Sequence, residues 1–167
     1  MPDRLNNYAF IDSHNLYLGV KREGWLIDYR RFRIYLTEKY RVTKAFMFIG
    51  FLEENQGLYR TLQEAGFLLI FKLILPRNGG AVKGNCDAEL VLHTMIEYGY
   101  FDQAVIVTGD GDFTCLVRYL QEQDKLHHVL APARAVCSSL LKKASRGRFN
   151  YFNDFRNKLE YKKKNTP

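Results

Sequence analysis

One stretch of the chain, residues 104–113, joins an apolar run to a pair of carboxylates and then to a helical pattern. Its first four residues are small or β-branched and predict a buried central strand. A Thr-Gly pair ends this strand, and Asp110 and Asp112 follow it. From Phe113 the apolar residues recur at helical spacing. The two carboxylates therefore lie between the carboxyl end of a strand and the amino end of a helix, where open α/β sheets bind ligands.

The paired carboxylates have two explanations. An Asp in a turn can cap a helix without any chemical role. Two bare carboxylates repel each other, however, and a divalent cation with oxygen ligands is the usual reason for placing them together. Because a cap needs only one Asp, a further carboxylate at the same edge of the sheet would favour the cation site.

Strand-like and helix-like segments alternate along the rest of the chain. We predict strands over residues 8–12, 43–50, 67–75, 104–107, 126–131 and 149–152. Helical patterns fall between them, over residues 16–20, 26–40, 56–65, 85–98, 113–123 and 138–144. This alternation predicts a three-layer α/β domain with a mainly parallel central sheet flanked by helices. Right-handed crossovers then bring Asp12, at the end of the first strand, to the same sheet edge as Asp110.

Length and composition limit the class of protein. A chain of 167 residues with 47% hydrophobic residues fits one packed domain. No apolar run approaches the ~20 residues that a membrane span needs, and the first residues lack the apolar centre of a signal peptide. We therefore expect a cytoplasmic protein without a membrane partner. The 3 cysteines, without C-x-x-C spacing, indicate neither a disulfide framework nor a zinc knuckle.

Basic charge is concentrated in the last quarter of the chain. Residues 125–167 carry 11 Lys and Arg against 2 Asp and Glu, whereas residues 1–124 carry 14 against 16. The natural partner of such a surface is a polyanion, and most naturally a nucleic acid. The candidate phosphate-binding residues are Lys142, Lys143, Arg146 and Arg148. We expect a domain over residues 1–153 and a basic tail over residues 154–167, which can also be only a solvated segment.

A fourth acid lies at the start of a predicted helix. Asp87 falls in the first turn after the candidate cap Asn85, where a carboxylate also gains from the helix dipole. That position alone needs no further explanation. In the functional interpretation, Asp87 joins Asp12, Asp110 and Asp112 around one cation, with Asn15 as a neutral partner.

These acids occur in three motifs, which read FIDSHN at residues 10–15, KGNCD at 83–87 and VTGDGDF at 107–113. Together the motifs resemble, in order and spacing, the NYN domain, the LabA-like branch of the PIN-domain-like ribonuclease superfamily. The resemblance covers roughly residues 7–153. It implies a PIN-like, Rossmann-like fold, a Mg²⁺ or Mn²⁺ site and endonucleolytic cleavage of RNA.

The resemblance also assigns residues by position. The metal-binding acids of the family fall on Asp12, Asp87, Asp110 and Asp112, with Asn15 and Thr108 as polar neighbours. Oxygen ligands select Mg²⁺ or Mn²⁺ over zinc, and such a cation neutralises the charge of a phosphodiester. We expect Arg77 and Lys83, on the loop of residues 76–83, to contact the scissile phosphate. The basic residues near the carboxyl terminus would then hold the flanking backbone of a single-stranded RNA.

One departure from the family concerns His93, where relatives often carry an Asp on the same helix as Asp87. With Glu89 it is a candidate neighbour of the metal ligands. A histidine there can bind Mn²⁺, can be a neutral neighbour or can weaken catalysis, although a lone His on an apolar helix is more often structural. The alternative to a nuclease is therefore a catalytically weak or inactive RNA-binding or scaffold protein of the same fold, and the sequence also leaves a homodimer open.

Two further patterns carry less weight. Asp110 to Thr114 matches the D-x-D-x-T pattern of haloacid dehalogenase-like phosphatases, but that family needs an acidic pair downstream, and only Asp154 and Glu160 follow Asp124. A zinc site at His127 and His128 is disfavoured because adjacent residues of a regular strand point to opposite faces.

Overall fold

The protein is described by a computed structural model over residues 5–74 and 85–163. These residues form a sheet of six parallel strands in the order β3-β2-β1-β4-β5-β6. The strands are β1 (Asn7–Asp12), β2 (Val42–Phe51), β3 (Phe67–Leu73), β4 (Ala104–Val107), β5 (Leu126–Ala131) and β6 (Phe149–Tyr151). The predicted α/β fold with a parallel central sheet is confirmed.

Helices cover both faces of the sheet and connect successive strands. They are α1 (Ser13–Arg22), α2 (Tyr29–Tyr40), α3 (Gln56–Glu64), α4 (Asp87–Ile96), α5 (Thr114–Glu122), α6 (Ser139–Ala144) and α7 (Arg156–Leu159). Short 3₁₀ turns occupy Glu53–Asn55, Gly111–Phe113 and Phe152–Phe155. In the described part of the chain, no helix combines the length and apolar character that crossing a membrane requires.

The central strands explain where a ligand can bind. The chain moves outward from β1 through β2 and β3 and then crosses back to β4 on the other side of β1. The two central strands are in register at their carboxyl ends, where Ile11 pairs with Val107. The connections that follow these two parallel strands run to opposite sides of the sheet, and this divergence opens a crevice at the carboxyl ends of the strands. The residues that follow β1 and β4 therefore lie side by side at its mouth.

Each face of the sheet buries its own set of side chains. Ile11 and Val105 point to one face, beneath α1 and α2, while Phe10 and Ile106 point to the other, beneath α4 and α5. All four are 0% exposed. This alternation of buried side chains on both faces is what makes β1 and β4 continuous apolar runs in the sequence.

The start of α2 differs from the prediction of residues 26–40. The helix begins at Tyr29, because Asp28 precedes it in an extended conformation and its Oδ1 accepts a hydrogen bond from the backbone N–H of Arg31. Leu26, which the apolar pattern assigned to the helix, is 60% exposed, and its side chain is not part of the core. A capping Asp thus decides the boundary against hydrophobic periodicity.

The residues that directly follow 153, which we assign from the sequence to a basic tail, contact the rest of the protein in the structure. Helix α7 lies on α2, and Leu159 is only 1% exposed. The backbone N–H of Asp28 donates to the carbonyl of Leu159 over 2.8 Å, and that of Tyr161 donates to Leu26 over 2.8 Å. The packed structure thus extends at least to Tyr161.

The expectation that His127 and His128 point to opposite faces is wrong. The pairing of β4 with β5 shifts register between Ala104 and Val105, which interrupts the alternation in β5. The Nδ1 atoms of the two histidines consequently lie 2.9 Å apart, with both rings against Tyr40. Burial lowers the pKa of both imidazoles, and that of His128 to about 4, so the pair is neutral near pH 7.

Candidate metal centre

Three of the predicted acids converge at the crevice. Asp87, Asp110 and Asp112 each present one carboxylate oxygen within 4.8 Å of the others. Asp87 is the first residue of α4, and the other two belong to the turn between β4 and α5. In that turn, Oδ1 of Asp110 accepts a hydrogen bond of 2.9 Å from the N–H of Asp112, which fixes the two residues relative to each other.

The fourth acid, Asp12, lines the same cleft as Asp87 and Asp110. Its Oδ1 accepts from the N–H of Asn15 over 3.1 Å and thereby caps α1. Its Oδ2 accepts from the hydroxyl of Thr108 over 3.2 Å, and that hydroxyl oxygen accepts in turn from the N–H of Asp110 over 3.2 Å. Thr108 therefore joins the carboxylate that follows β1 to the one that follows β4.

Asn15 has a second structural role. Its Oδ1 accepts a hydrogen bond of 2.8 Å from the N–H of Gly109, so α1 is tied to the turn that carries Asp110. The turn is also closely packed from the other side, since a Cβ at Gly111 would lie 2.8 Å from Oγ of Ser138. The missing side chain of Gly111 thus lets Ser138 approach the turn that carries Asp110 and Asp112.

Burial and mutual repulsion strain these carboxylates. Burial raises the pKa of Asp12 from its usual 3.8, and repulsion from Asp87 and Asp110 adds to that effect against the hydrogen bonds from Asn15 and Thr108. Burial likewise raises the pKa of Asp87, with further repulsion from Asp110 and Asp112. Both shifts mean that the ionised forms are disfavoured.

The donor set fits a hard divalent cation. It consists of carboxylate oxygens, which Mg²⁺ and Mn²⁺ prefer. Among residues 5–74 and 85–163, no Lys or Arg forms an ion pair with any of the four acids. The nearby Lys72 instead pairs with Glu89, with 3.1 Å between Nζ and Oε1. Within the described part of the chain, the four acids therefore have no ion-pair partner of their own.

We expect Mn²⁺ to stabilise the folded protein strongly. At a concentration of about 100 times its dissociation constant, the ion should raise the free energy of unfolding by about 2.7 kcal/mol, or roughly 5–10 °C in melting temperature. Thermal melts in EDTA and in Mn²⁺ at pH 7.5 measure this shift. An Asp87→Asn variant should lose most of it, and the exposed Asp124→Asn should keep it. Equal melting temperatures in EDTA and Mn²⁺ for the natural protein would argue against a shared site.

The same strain predicts a pH dependence. A carboxyl whose folded-state pKa is raised binds more protons in the folded than in the unfolded state, so metal-free stability falls as pH rises from 3.8 through the raised values. The stabilisation by Mn²⁺ should therefore be largest at neutral pH, where the acids are ionised, and should fade in melts towards pH 4. A metal effect that is independent of pH would contradict ligation by these acids.

The two candidate neighbours of the metal ligands, Glu89 and His93, have other contacts in the structure. Glu89 is engaged by Lys72, as described above. The ring of His93 packs edge-on against Phe46 and Phe48, with centroid distances of 4.8 and 5.7 Å, and its Nε2 lies 3.9 Å from the carboxylate of Glu97. His93 does not line the cleft that holds the acids. This surrounding is that of a structural histidine on the inner side of α4.

The predicted phosphate-binding residues are divided between two regions. Lys142, Lys143 and Arg146 are exposed, and α6, which carries the two lysines, begins beside the acidic turn, where the N–H of Ser138 donates to the carbonyl of Gly109 over 2.9 Å.

Arg148 directly precedes β6. Its guanidinium lies at the amino end of β5, where it donates to the carbonyl of Leu126 and pairs with Asp124. The amino ends of the strands lie on the side of the sheet opposite the carboxyl ends, where the acids are. Arg77 and Lys83 lie outside the described residues.

Sequence reasoning missed two features of this edge. The guanidinium of Arg134 stacks 4.2 Å above the ring of Tyr151, and Nζ of Lys142 lies 5.4 Å from the same ring. The acids also open into a cleft of about 840 Å³ whose far end is apolar. Its walls come from separate helices and strands, so no local motif marks them. The sequence marks the residues of the cleft wall only by their position, since each of them follows or faces the carboxyl end of a strand.

Comparison with known proteins agrees with this geometry. The model of the NYN domain family matches residues 8–151. The low amplitude and bright protein LabA of Synechococcus elongatus is 24% identical over 176 residues, which cover 99% of this chain and 92% of that protein. A crystal structure of a protein of unknown function from Vibrio parahaemolyticus shares the fold with a TM-score of 0.77 at 21% identity, and covers 96% of this chain and 99% of that one.

Proposed function

We propose that this chain, which belongs to the NYN domain family, is an endoribonuclease that depends on Mg²⁺ or Mn²⁺. The observation that carries the proposal is the convergence of Asp87, Asp110 and Asp112 within 4.8 Å, at the same cleft as Asp12. The family belongs to the PIN-like nuclease superfamily, in which ribonuclease activity is usual. The crevice between β1 and β4 is the position where such a fold binds its ligand.

The four acids would hold the cation. When bound, a divalent cation supplies neutralisation of phosphodiester charge and a more acidic water at the site. The chain itself supplies positioning. Thr108 and Asn15 hold Asp12 and the turn of Asp110 through the hydrogen bonds described above, so the ligand oxygens are ordered before substrate arrives. No side chain is needed as a covalent nucleophile, because water can attack the phosphate.

The basic surface beside this edge would hold the RNA backbone. Lys142 and Lys143 extend from α6, and Arg134 lies on the loop that precedes it. Such contacts position a nucleic acid without reading its sequence. Exposed lysines and an arginine stacked on an aromatic ring are common features of surfaces that bind single-stranded nucleic acid.

The proposal is tested by incubating the purified protein with end-labelled single-stranded RNA in EDTA, in Mg²⁺ and in Mn²⁺. We expect internal cleavage that requires a divalent ion and that EDTA stops. A protein that binds the RNA but does not cut it in either ion would instead be an RNA-binding member of the family. No binding and no cleavage would reject both functions.

We also expect the lysines of α6 to contact phosphates. Replacing Lys142 and Lys143 together by Ala should reduce the slope of log affinity against log salt by about 1.4, since each lost contact with a single strand removes about 0.7. Filter binding at several salt concentrations measures the slope. A matched control replaces the exposed Lys39 and Lys44 by Ala. These lysines lie near the amino ends of the strands, away from the acids, so the slope should stay unchanged. Equal reductions in both double variants would indicate a general effect of charge.

A further inference from the structure

The cleft at the acids is much larger than a single cation requires. Its volume is about 840 Å³, which falls within the roughly 300–1,000 Å³ typical of sites for small organic ligands. It runs along the carboxyl ends of the strands, from Asp12 and Asp110 after β1 and β4 towards residues that follow β2 and β3. A second ligand group therefore has room beside the acids.

The end of the cleft beyond β2 has apolar and aromatic walls. Tyr17 projects from α1 and Tyr29 from the start of α2, and aliphatic side chains complete the lining with Ile49, Leu52, Leu58 and Ile74. Tyr17 is 49% exposed and Leu58 is 37% exposed, so part of this wall faces the open cleft. Burial raises the pKa of the Tyr29 phenol to about 12, and the nearby Tyr17 adds to that effect. The phenol of Tyr29 is therefore uncharged near pH 7.

Two polar groups in this apolar end have no partner among the described residues. The hydroxyl of Tyr29 takes part in no hydrogen bond with residues 5–74 or 85–163, and its ring is held edge-on by Phe67 at 6.3 Å. The side chain of Asn55, at the start of α3, makes no capping hydrogen bond. An apolar pocket with a few free hydrogen-bonding groups is the usual form of a site that orients a specific ligand.

Charge limits what the ligand can be. Among residues 5–74 and 85–163, no Lys or Arg lines the cleft, and the carboxylates that line it are those of Asp12, Asp87 and Asp110 at the other end. Nζ of Lys21 lies 5.6 Å from the centroid of the Tyr17 ring, but its side chain is not part of the lining. A flat, neutral, hydrogen-bonding group fits both the walls of the apolar end and its two polar groups. Nucleobases have these properties, and base stacking on aromatic side chains contributes strongly to the binding of single strands.

We infer that the apolar end of the cleft, built by Tyr17, Tyr29, Leu58 and Asn55, binds one nucleobase of the RNA beside the phosphate held at the acids. This inference rests on the proposed ribonuclease function, since it makes the base a neighbour of the cleaved bond. Tyr17 and Leu58 would supply the contact surface. Asn55 and the Tyr29 hydroxyl would contact the edge of the base and so favour some bases over others.

The pocket can be tested without metal or catalysis. Adenosine, guanosine, cytidine and uridine carry no phosphate, so they can be titrated into the natural protein in EDTA, with ribose as the probe that lacks a base. Saturation-transfer NMR measures weak binding and shows which ligand protons face the protein. We expect base protons to receive more saturation than ribose protons, and at least one nucleoside to bind about fivefold or more tightly than ribose.

Variants locate the binding. Tyr17→Ala should weaken nucleoside binding about fivefold or more, whereas Tyr100→Ala, which removes an exposed tyrosine outside the cleft, should leave it unchanged. Asn55→Ala should reduce the difference in affinity between the best and the worst nucleoside. Nucleosides that bind no better than ribose, or equal affinities in the Tyr17 and Tyr100 variants, would overturn the inference.

The test of the base pocket can fail independently of the test of ribonuclease activity. Asp110→Asn removes an acid but no wall of the pocket, so it should preserve nucleoside binding even where cleavage is lost. A protein that cuts RNA but binds nucleosides no better than ribose would keep its proposed function and lose the base pocket. Specific nucleoside binding without any cleavage would keep the pocket and reject the ribonuclease.

Discussion

Asp110→Asn should lower the rate of RNA cleavage by at least about 100-fold and leave the affinity for RNA unchanged or slightly higher. The substitution keeps the shape of the side chain and leaves an Oδ1 that can accept the hydrogen bond from Asp112, but it removes a negative ligand. Removing a charge from the acids also lowers their repulsion of phosphate. Single-turnover cleavage and gel-shift assays on the same preparation measure the two effects.

The matched control is Asp124→Asn. Asp124 is an exposed acid whose backbone has a φ of 53°, a conformation that Asn also adopts readily. This variant should cleave RNA at the natural rate. Equal cleavage by Asp110→Asn and the natural protein would mean that the activity arises elsewhere or from a contaminant. Loss of RNA binding together with cleavage would point to a folding defect in place of a catalytic one.

Leu159→Ala should cost about 2–5 kcal/mol of stability, although it lies outside the region that the sequence assigns to the domain. Leu159 is 1% exposed and belongs to the apolar cluster that α2 forms with β1 and β2. Its truncation would leave a cavity between α7 and α2. Chemical denaturation followed by circular dichroism measures the loss.

A truncation provides the comparison for this stability effect. Removing residues 162–167 leaves Leu159 and the hydrogen bonds of Asp28 and Tyr161 in place, so the midpoint of denaturation should hardly change. If Leu159→Ala changed the free energy of unfolding by less than about 0.5 kcal/mol, α7 would be only a loosely attached segment. The basic tail would then begin near residue 154, as the sequence suggests.

Local patterns were enough to predict the sheet. β1 and β4 are continuous apolar runs because both of their faces are buried, and the helices between strands show their own periodicity. Features that depend on pairing between distant residues were not visible. The shifted register opposite Ala104 brings His127 and His128 together, and nothing in their own segment marks it. The packing of Leu159 on α2 likewise depends on a partner far away in the sequence.

The candidate site divides in the same way. Parallel strands deliver their following residues to one edge, so the approach of Asp12 to Asp110 could be predicted from topology. The bridging role of Thr108 needs the register of β1 against β4, which the sequence does not specify. The charge pattern placed Arg148 with the lysines of α6, but its guanidinium turns to the amino end of β5 and pairs with Asp124. The composition of a segment indicates the sign of its charge but not the direction in which each side chain points.

The most direct test of the metal centre is anomalous diffraction from crystals grown with Mn²⁺. We predict a manganese peak in the cleft, within about 2.0–2.3 Å of a carboxylate oxygen of Asp110 and in contact with at least two of Asp12, Asp87 and Asp112. The same crystals of Asp110→Asn should show a weaker peak or none. Fully ordered acids without a peak at saturating Mn²⁺, or a peak bound only outside this cleft, would contradict a metal-dependent site in this protein.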